Sequence, residues 1–429
     1  MKKTGMLLLA IFSLLFVSPS FAAEVQSTVN PETTFIFNTL LFLICGFLVM
    51  FMAPGFAMLE CGLVTSKSVA SIAAKNIALY SIAGIMFWLC GYNLAYGIPE
   101  GGYIGSFSPW SDGTDFTKDT YSAGSDWYFQ MVFCATTASI VSGSLAERIK
   151  IWPFFLFTAI LCGVLYPIEM GWQWGGGWLS AKGFSDFAGS TLVHAAGGAA
   201  ALAGAIVLGP RLGRFVKGAH LTPYAASSIP LATLGTFVLW FGWFGFNGGS
   251  QLALGTFDDA KAISTIFINT NLAACAGVMV NAAITRVIGG KTDVVMMLNG
   301  ALGGLVAITA EPLAPTPFAA ICIGGIGAAI VVIGSTLLEK LKIDDVVGAI
   351  PVHLFAGIWG TLAVPITNKD MSFATQFLGV FSVVAFMFIS SLIIWSILKV
   401  TIGIRISDEA QKKGTDVAEI GVVAYAIRD

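Results

Sequence analysis

One pattern occurs twice in this 429-residue chain, as DFAGSTLVHAAGG from Asp186 to Gly198 and as DVVGAIPVHLFAG from Asp345 to Gly357. Both copies fit D-x-x-G-x-x-x-V-H-x-x-x-G, with identical residues at five fixed positions. The chain has 3 histidines, and the pattern contains two of them, His194 and His353. Such a match indicates an internal repeat, so the fold is expected to contain two related halves.

The composition around the repeat is that of an integral membrane protein. Lys and Arg number 22, Asp and Glu 24, and charged residues make up 11% of the chain, against about 25% in soluble domains. Hydrophobic residues make up 56%, and the mean hydropathy is +0.83. The net charge of −2 provides no basic field for nucleic acid, and 7 Cys with 3 His provide no zinc scaffold.

Apolar stretches of about 18 residues or more predict an all-α fold of eleven transmembrane helices. The predicted spans are Thr34–Met58, Ile77–Tyr96, Trp127–Ala146, Ile151–Met170, Phe187–Leu208, Ile229–Phe246, Ser264–Ile284, Val294–Ala310, Phe318–Leu338, Gly348–Pro365 and Leu378–Ile402.

The first residues have the pattern of a secretory signal peptide. Lys2 and Lys3 precede an apolar run from Met6 to Val17 and a small-x-small site that ends at Ala22. This pattern predicts a cleaved segment over residues 1–22 and a mature N-terminus outside the cytoplasm. The alternative is an uncleaved first helix, but about a dozen apolar residues fall short of the ~20 needed to span a bilayer.

Basic residues orient the predicted spans. With the mature N-terminus outside, 16 of the 22 Lys and Arg lie in cytoplasmic loops or after the last span, 4 lie in the opposite loops and 2 in the signal peptide. This asymmetry predicts a cytoplasmic C-terminus. The repeat copies begin the fifth and tenth predicted spans, so they enter the membrane from opposite sides. The chain is therefore expected to contain two inverted five-helix repeats plus an eleventh helix, over residues 23–403, and a cytoplasmic tail over 404–429.

The two histidines of the repeat are expected to meet near the bilayer centre. Each follows its aspartate by eight residues, about 12 Å of helical rise, against a half-thickness of about 15 Å. Ionisable groups at this depth usually mark a transport or proton path. A pair sharing one proton and two core histidines bonded to carbonyls both fit the sequence. A metal site would need a third ligand, and no carboxylate or thiol has suitable spacing.

The other ionisable residues of interest lie at predicted helix starts, in a loop or in apolar surroundings. Asp186 and Asp345 each begin a predicted helix, where aspartate is a preferred N-cap. His220 lies in a basic loop and is expected at the surface. Glu60 and Glu169 are the other two acidic residues in apolar surroundings.

Aromatic residues near span ends provide cation-binding chemistry, because ring faces attract ammonium-type ions. They include Phe133, Trp174 and the run from Trp240 to Ser250. The alternative is the aromatic belt found at membrane interfaces.

At these residues the sequence resembles the ammonium transporter (Amt/Mep/Rh) superfamily, and the bacterial Amt channels in particular. The resemblance extends from the first span to Tyr425. It includes, besides both copies of the repeat, Phe129-Gln130-x-x-Phe133, Gly143-Ser-Leu-Ala-Glu147-Arg148, Trp174-Gly-Gly-Gly177 and Gly242-Trp-Phe-Gly-Phe-Asn-Gly-Gly-Ser250.

The resemblance implies a homotrimer in the bacterial inner membrane, surrounded by lipid, whose eleven-helix subunits each contain a narrow hydrophobic pore. It implies transport of ammonium or ammonia, with methylammonium as a further candidate, and no enzymatic activity, cofactor or metal. Phe133, Trp174 and Ser250 correspond to an outer ammonium-recruitment site, with Trp243 beside it.

The same resemblance assigns the pore. Phe133 and Phe246 correspond to the stacked rings that close it. Asp186 corresponds to the carboxylate needed for ammonium binding and deprotonation, and His194 and His353 to the twin histidines that relay the proton. Ammonium would cross as ammonia, whereas K⁺ has no proton to release and would be refused.

The tail resembles the cytoplasmic segment that couples subunits in this family and accompanies control by PII proteins. Where the family commonly has His-Gly-Glu, this chain has Ile420-Gly421-Val422. Coupling is therefore expected, while the case for a PII partner is weakened.

Other classes of function remain open from sequence. One is a sensor of ammonium with little conduction, and another is an electroneutral channel for ammonia or another neutral molecule. A membrane enzyme would need a nucleophile or metal beside the Asp and His residues, and the surrounding Ala, Gly and Val provide neither.

Overall fold

The computed structural model describes residues 30–216 and 224–425. The predicted signal peptide and His220 lie outside these residues. Within them the regular structure is helical, apart from one antiparallel bridge between Ile149 and Arg405. The all-α prediction is therefore confirmed.

Each of the eleven predicted spans overlaps a helix. The helices are α1 (Pro31–Leu63), α2 (Val69–Tyr96), α3 (Ala123–Ser144), α4 (Ile151–Gly171), α5 (Ser190–Leu208), α6 (Ile229–Gly249), α7 (Phe257–Gly289), α8 (Val294–Ile308), α9 (Pro317–Leu341), α10 (Ile350–Thr367) and α11 (Phe373–Thr401).

Nine of these helices are long and apolar enough to cross a membrane. The other two are α3 and α8, and α8 has only 15 residues. Helix α3 is buried along almost its whole length, from Ser125 to Ser144. Because its neighbours are protein rather than lipid, it can include Gln, Ser and Thr side chains that lower its hydropathy.

Several helix boundaries differ from the prediction, among them the end of α1 and the start of α2. Helix α1 continues past Met58 to Leu63, and α2 begins at Val69 rather than Ile77. Lys75 was expected in a loop but lies inside α2, buried, and donates a hydrogen bond of 2.7 Å to the carbonyl of Ser142. A buried lysine is tolerated here because its ammonium group has hydrogen-bonding partners.

The glycines of the repeat have structural roles in both copies. Gly189 and Gly348 have φ of +106° and +81°, a backbone conformation that favours glycine. At the last position, a Cβ on Gly198 would lie 2.5 Å from the backbone nitrogen of Leu354, and one on Gly357 would lie 2.4 Å from the carbonyl oxygen of Ser190. Each copy therefore packs its glycine against the backbone of the other.

The residues after α11 fold back over one end of the bundle, called here the tail face. The carboxylate of Asp416 accepts hydrogen bonds from the backbone N–H groups of Val69 (3.0 Å) and Ser71 (2.7 Å) at the start of α2. The backbone N–H of Ile406 donates to the carbonyl of Arg148 at 3.1 Å. The tail is thus tied to the loops that join α1 to α2 and α3 to α4.

A buried ionic cluster joins three loops at the tail face. Arg211 lies 2.8 Å from the carboxylate of Asp344 and also pairs with Glu147. Burial by itself would raise the pKa of Asp344, but the hydrogen bonds and charge of Arg211, together with the charge of Arg148, lower it to about 2. Asp344 therefore remains an anion at neutral pH.

Candidate functional site

The two histidines of the repeat meet in the interior of the bundle. Nδ1 of His194 lies 3.2 Å from Nδ1 of His353, and both side chains are buried. At this distance one ring nitrogen donates and the other accepts, so the two rings share one proton between them. The inverted repeat predicted this meeting, and we call these residues the histidine pair.

The backbone that carries each histidine has the same unusual form. Ser190–Ala195 and Ile350–Phe355 are wide π-helical turns, and each contains one histidine of the pair. Such turns are rare and occur frequently at functional sites. The repeat therefore duplicates the local backbone as well as the side chains.

Each π-helical turn is capped by the aspartate of its copy. The carboxylate of Asp186 accepts four backbone N–H groups, those of residues 189 to 192, at 2.7 to 3.0 Å. Asp345 accepts three N–H groups, at 2.7 to 3.2 Å, and the hydroxyl of Ser144 at 3.0 Å. The expected capping role is thus present in both copies.

A group of aromatic rings lies on the side of the histidine pair away from the tail face. The rings of Phe133 and Phe246 stack with centroids 4.1 Å apart, and both are buried. Half-buried Trp174 lies edge-on to Phe133 at 5.9 Å and donates a 2.9 Å hydrogen bond to the carbonyl of Asp186. The hydroxyl of Ser250 donates to the carbonyl of Phe246 at 2.8 Å.

Trp243 lies deeper than expected. Its ring is fully buried and stacks on His194, with centroids 4.9 Å apart. Its indole N–H donates to the hydroxyl of Thr309 at 2.8 Å. Trp243 therefore packs directly against the histidine pair. The run that contains it is helical in α6, so successive aromatic residues lie at different depths.

A small cavity of about 10 Å³ continues from the histidine pair towards the tail face. His353 and Glu60 both line it, with Phe56, Ser139 and Asn299 among the other lining residues. The sequence identified Glu60 as an acidic residue in apolar surroundings but did not connect it with His353. The two residues are far apart in the chain, so no local pattern could have joined them.

Glu169 lies in α4, fully buried, and neither of its carboxylate oxygens has a hydrogen-bond partner in the structure. A buried carboxylate without hydrogen-bond partners is costly.

The geometry can be compared with proteins of known family. The family model described as Ammonium Transporter Family matches residues 40–425. This chain belongs to the ammonium transporter family. Within the family, the ammonium transporter Amt2 of Archaeoglobus fulgidus is 41% identical over 413 residues, which cover 89% of this chain and 87% of that protein. A putative ammonium transporter of Synechocystis is 38% identical over 421 residues, which cover 96% and 94%.

Solved structures of family members have the same fold. This ammonium transporter family member matches the structure of a sensor Amt protein with a TM-score of 0.86 and 34% identity, over 91% of this chain and 100% of that one. It matches Candida albicans Mep2 with a TM-score of 0.79 and 26% identity, over 92% of each chain. The chain is therefore a multi-pass membrane protein with the Amt/Mep fold.

Proposed function

We propose that this protein transports ammonium across the bacterial inner membrane. In this proposal ammonium binds near Trp174, loses its proton near Asp186 and crosses as ammonia, while the proton passes along the histidine pair. The observation that carries the proposal is the 3.2 Å contact between the two Nδ1 atoms, in an interior closed by the stacked rings of Phe133 and Phe246.

The apolar surroundings favour separate passage of ammonia and proton. Moving a bare ion into a medium of low dielectric constant costs tens of kcal/mol in the idealised limit. Ammonia is neutral and avoids this cost, and a hydrogen-bonded imidazole pair offers the proton a route. K⁺ has no proton to give up, so the same path excludes it.

Recruitment is assigned to the half-buried aromatic site above the stacked rings. The faces of Trp174 and Phe133 attract an ammonium ion by cation–π interaction, worth about 0.5–2 kcal/mol, and Ser250 adds a hydroxyl at the same entrance. The four backbone N–H groups that donate hydrogen bonds to the carboxylate of Asp186 stabilise its negative charge. Asp186 therefore acts as a fixed anion that attracts the cation, and the released proton passes on to His194.

The membrane arrangement is part of the proposal. We place all eleven helices across the bilayer, with the mature N-terminus outside and the tail face in the cytoplasm. The loops on the tail face, together with the tail, carry most of the basic residues, as the positive-inside rule requires. Assembly as a homotrimer and coupling of its subunits through the tail follow from the resemblance to Amt channels.

Two alternative functions differ from the proposed one in whether charge crosses the membrane. The match to a sensor Amt protein favours a sensor with little conduction as the second candidate. An electroneutral ammonia channel would move ammonia without a proton. The experiment is therefore to measure current and internal pH together, with purified protein in vesicles supplied with ammonium, methylammonium or K⁺.

The proposal expects an inward current with ammonium, none with K⁺, and loss of the ammonium current in His353→Ala. Protein-free vesicles provide the control for passive entry of ammonia, which makes the interior alkaline without current. A pH change above this control but without current would indicate the electroneutral channel. The sensor alternative is supported if ammonium binds but neither signal exceeds the control.

A further inference from the structure

We propose that Glu60 forms a second ammonium site, on the tail side of the histidine pair, where ammonia and the relayed proton recombine. The inference rests on the proposed function, because it concerns the exit of the same path. It assigns a role to an acidic residue that neither the repeat nor the aromatic site includes.

The first observation is the cavity that His353 and Glu60 both line. Its volume of about 10 Å³ is about the minimum that one water-sized molecule needs. Ammonia is of similar size. The other walls of the cavity include Phe56, Leu302 and Val352, and Glu60 is the acidic residue among the residues that line it. A molecule that leaves the histidine pair towards the tail face therefore meets this carboxylate.

The second observation is that the carboxylate of Glu60 is only half satisfied. Its Oε2 accepts hydrogen bonds from the hydroxyl of Ser142 at 2.7 Å and from the amide of Asn76 at 3.3 Å. Its Oε1 is buried and has no hydrogen-bond partner in the structure. Leaving a buried acceptor unpaired costs about 1–3 kcal/mol, and more if it is charged. An N–H donor in the cavity would remove that cost.

The third observation is the charge that faces Glu60. Nζ of Lys75 lies 4.0 Å from its Oε2, and the Lys75 side chain is also buried. The other residues that contact the carboxylate from α2 and α3, Asn76 and Ser142, are neutral. The ammonium group of Lys75 attracts the carboxylate of Glu60, and it also repels a cation bound there. The site is therefore suited to brief binding followed by release.

The chemical step at this site is a proton transfer. Ammonia in the cavity uses its lone pair to form a bond to the proton on Nε2 of His353, and the electron pair of the broken N–H bond stays on that nitrogen. The resulting ammonium donates a hydrogen bond to Oε1 of Glu60 and leaves towards the tail face. The histidine pair, which held one extra proton received through His194, is neutral again after the transfer.

The test measures three variants in vesicles: Glu60→Gln, Glu60→Asp, and the double variant that combines Glu60→Gln with Lys75→Met. Wild-type protein is measured in a separate vesicle sample. We expect the ammonium current per folded protein to fall at least tenfold in both Gln variants and to recover in part in Glu60→Asp, which keeps the charge. Size-exclusion chromatography and thermal unfolding measure the folded amount.

The double variant distinguishes loss of ammonium binding at Glu60 from the effect of leaving the charge of Lys75 unpaired. If Glu60→Gln loses current only because Lys75 is left as an unpaired cation in the exit, removing both charges restores the current, and the inference is wrong. Wild-type current in Glu60→Gln itself would also overturn it. If Glu60→Gln does not fold, the double variant decides alone. Absence of current in the wild type would instead refute the proposed function.

Discussion

Replacing Asp186 by Asn tests whether this residue has a role beyond capping a helix. The inverted repeat supplies the matched control, because Asp345 holds the same place in the second copy and caps the second π-helical turn. Under the proposed function only Asp186 lies beside the recruitment site at Trp174. We expect Asp186→Asn to abolish the ammonium current and Asp345→Asn to retain it, per folded protein.

The cost in stability can be worked out from the hydrogen bonds. Each oxygen of Asp186 accepts two backbone N–H groups. Asn keeps one acceptor oxygen and turns its NH₂ group towards the other two donors, which lose their partner. At about 1–3 kcal/mol for each buried donor left unpaired, Asp186→Asn costs about 2–6 kcal/mol. In Asp345 one oxygen accepts only the N–H of Ile350, so Asp345→Asn costs about 1–3 kcal/mol.

The assay therefore needs two measurements on each variant. Thermal unfolding in detergent gives the loss of stability, and current in vesicles is normalised to the amount of folded protein. If both variants lose current only in proportion to the folded protein they lose, Asp186 is a helix cap and nothing more. Full current in Asp186→Asn would refute the assignment directly.

Three further predictions concern other parts of the molecule. Asp344→Asn should destabilise the protein by about 2 kcal/mol at pH 7, because the pKa of Asp344 falls from 3.8 to about 2 on folding. This stability is complete above about pH 4 and is lost as the pH falls through 2, so unfolding measured against pH should show wild type and variant converging. Gly357→Ala should cost about 1–3 kcal/mol, because its methyl group would lie 2.4 Å from the carbonyl of Ser190. A matched Gly113→Ala, where nothing lies within 4 Å and φ is not positive, leaves α5 and α10 in place; equal unfolding temperatures in the two variants would contradict the packing argument. A pull-down with a PII protein at low and high 2-oxoglutarate should show no tight binding, because Ile420-Gly421-Val422 replaces the usual His-Gly-Glu; ADP-dependent retention of the PII protein would contradict this expectation.

The sequence alone was sufficient for the fold class and for the contact between the two histidines of the repeat. Apolar runs of helical length predicted helices, because a lipid-facing chain must satisfy its backbone polar groups internally. The repeat predicted that His194 and His353 meet, because two copies that enter from opposite sides reach similar depth. Two of the identical positions in the repeat also have local structural roles. The aspartate caps the π-helical turn, and the glycine three residues later has a positive φ.

The tertiary structure alone determined which other side chains lie beside the histidine pair. Hydropathy cannot distinguish a residue that faces lipid from one buried in protein, so it misplaced the start of α2 and assigned buried Lys75 to a loop. Trp243 stacks on His194 because helical geometry separates it from Trp174 in depth. Glu60 acquires partners from α2 and α3, 16 and 82 residues away. Such contacts arise only when helices pack, and no periodicity within one helix encodes them.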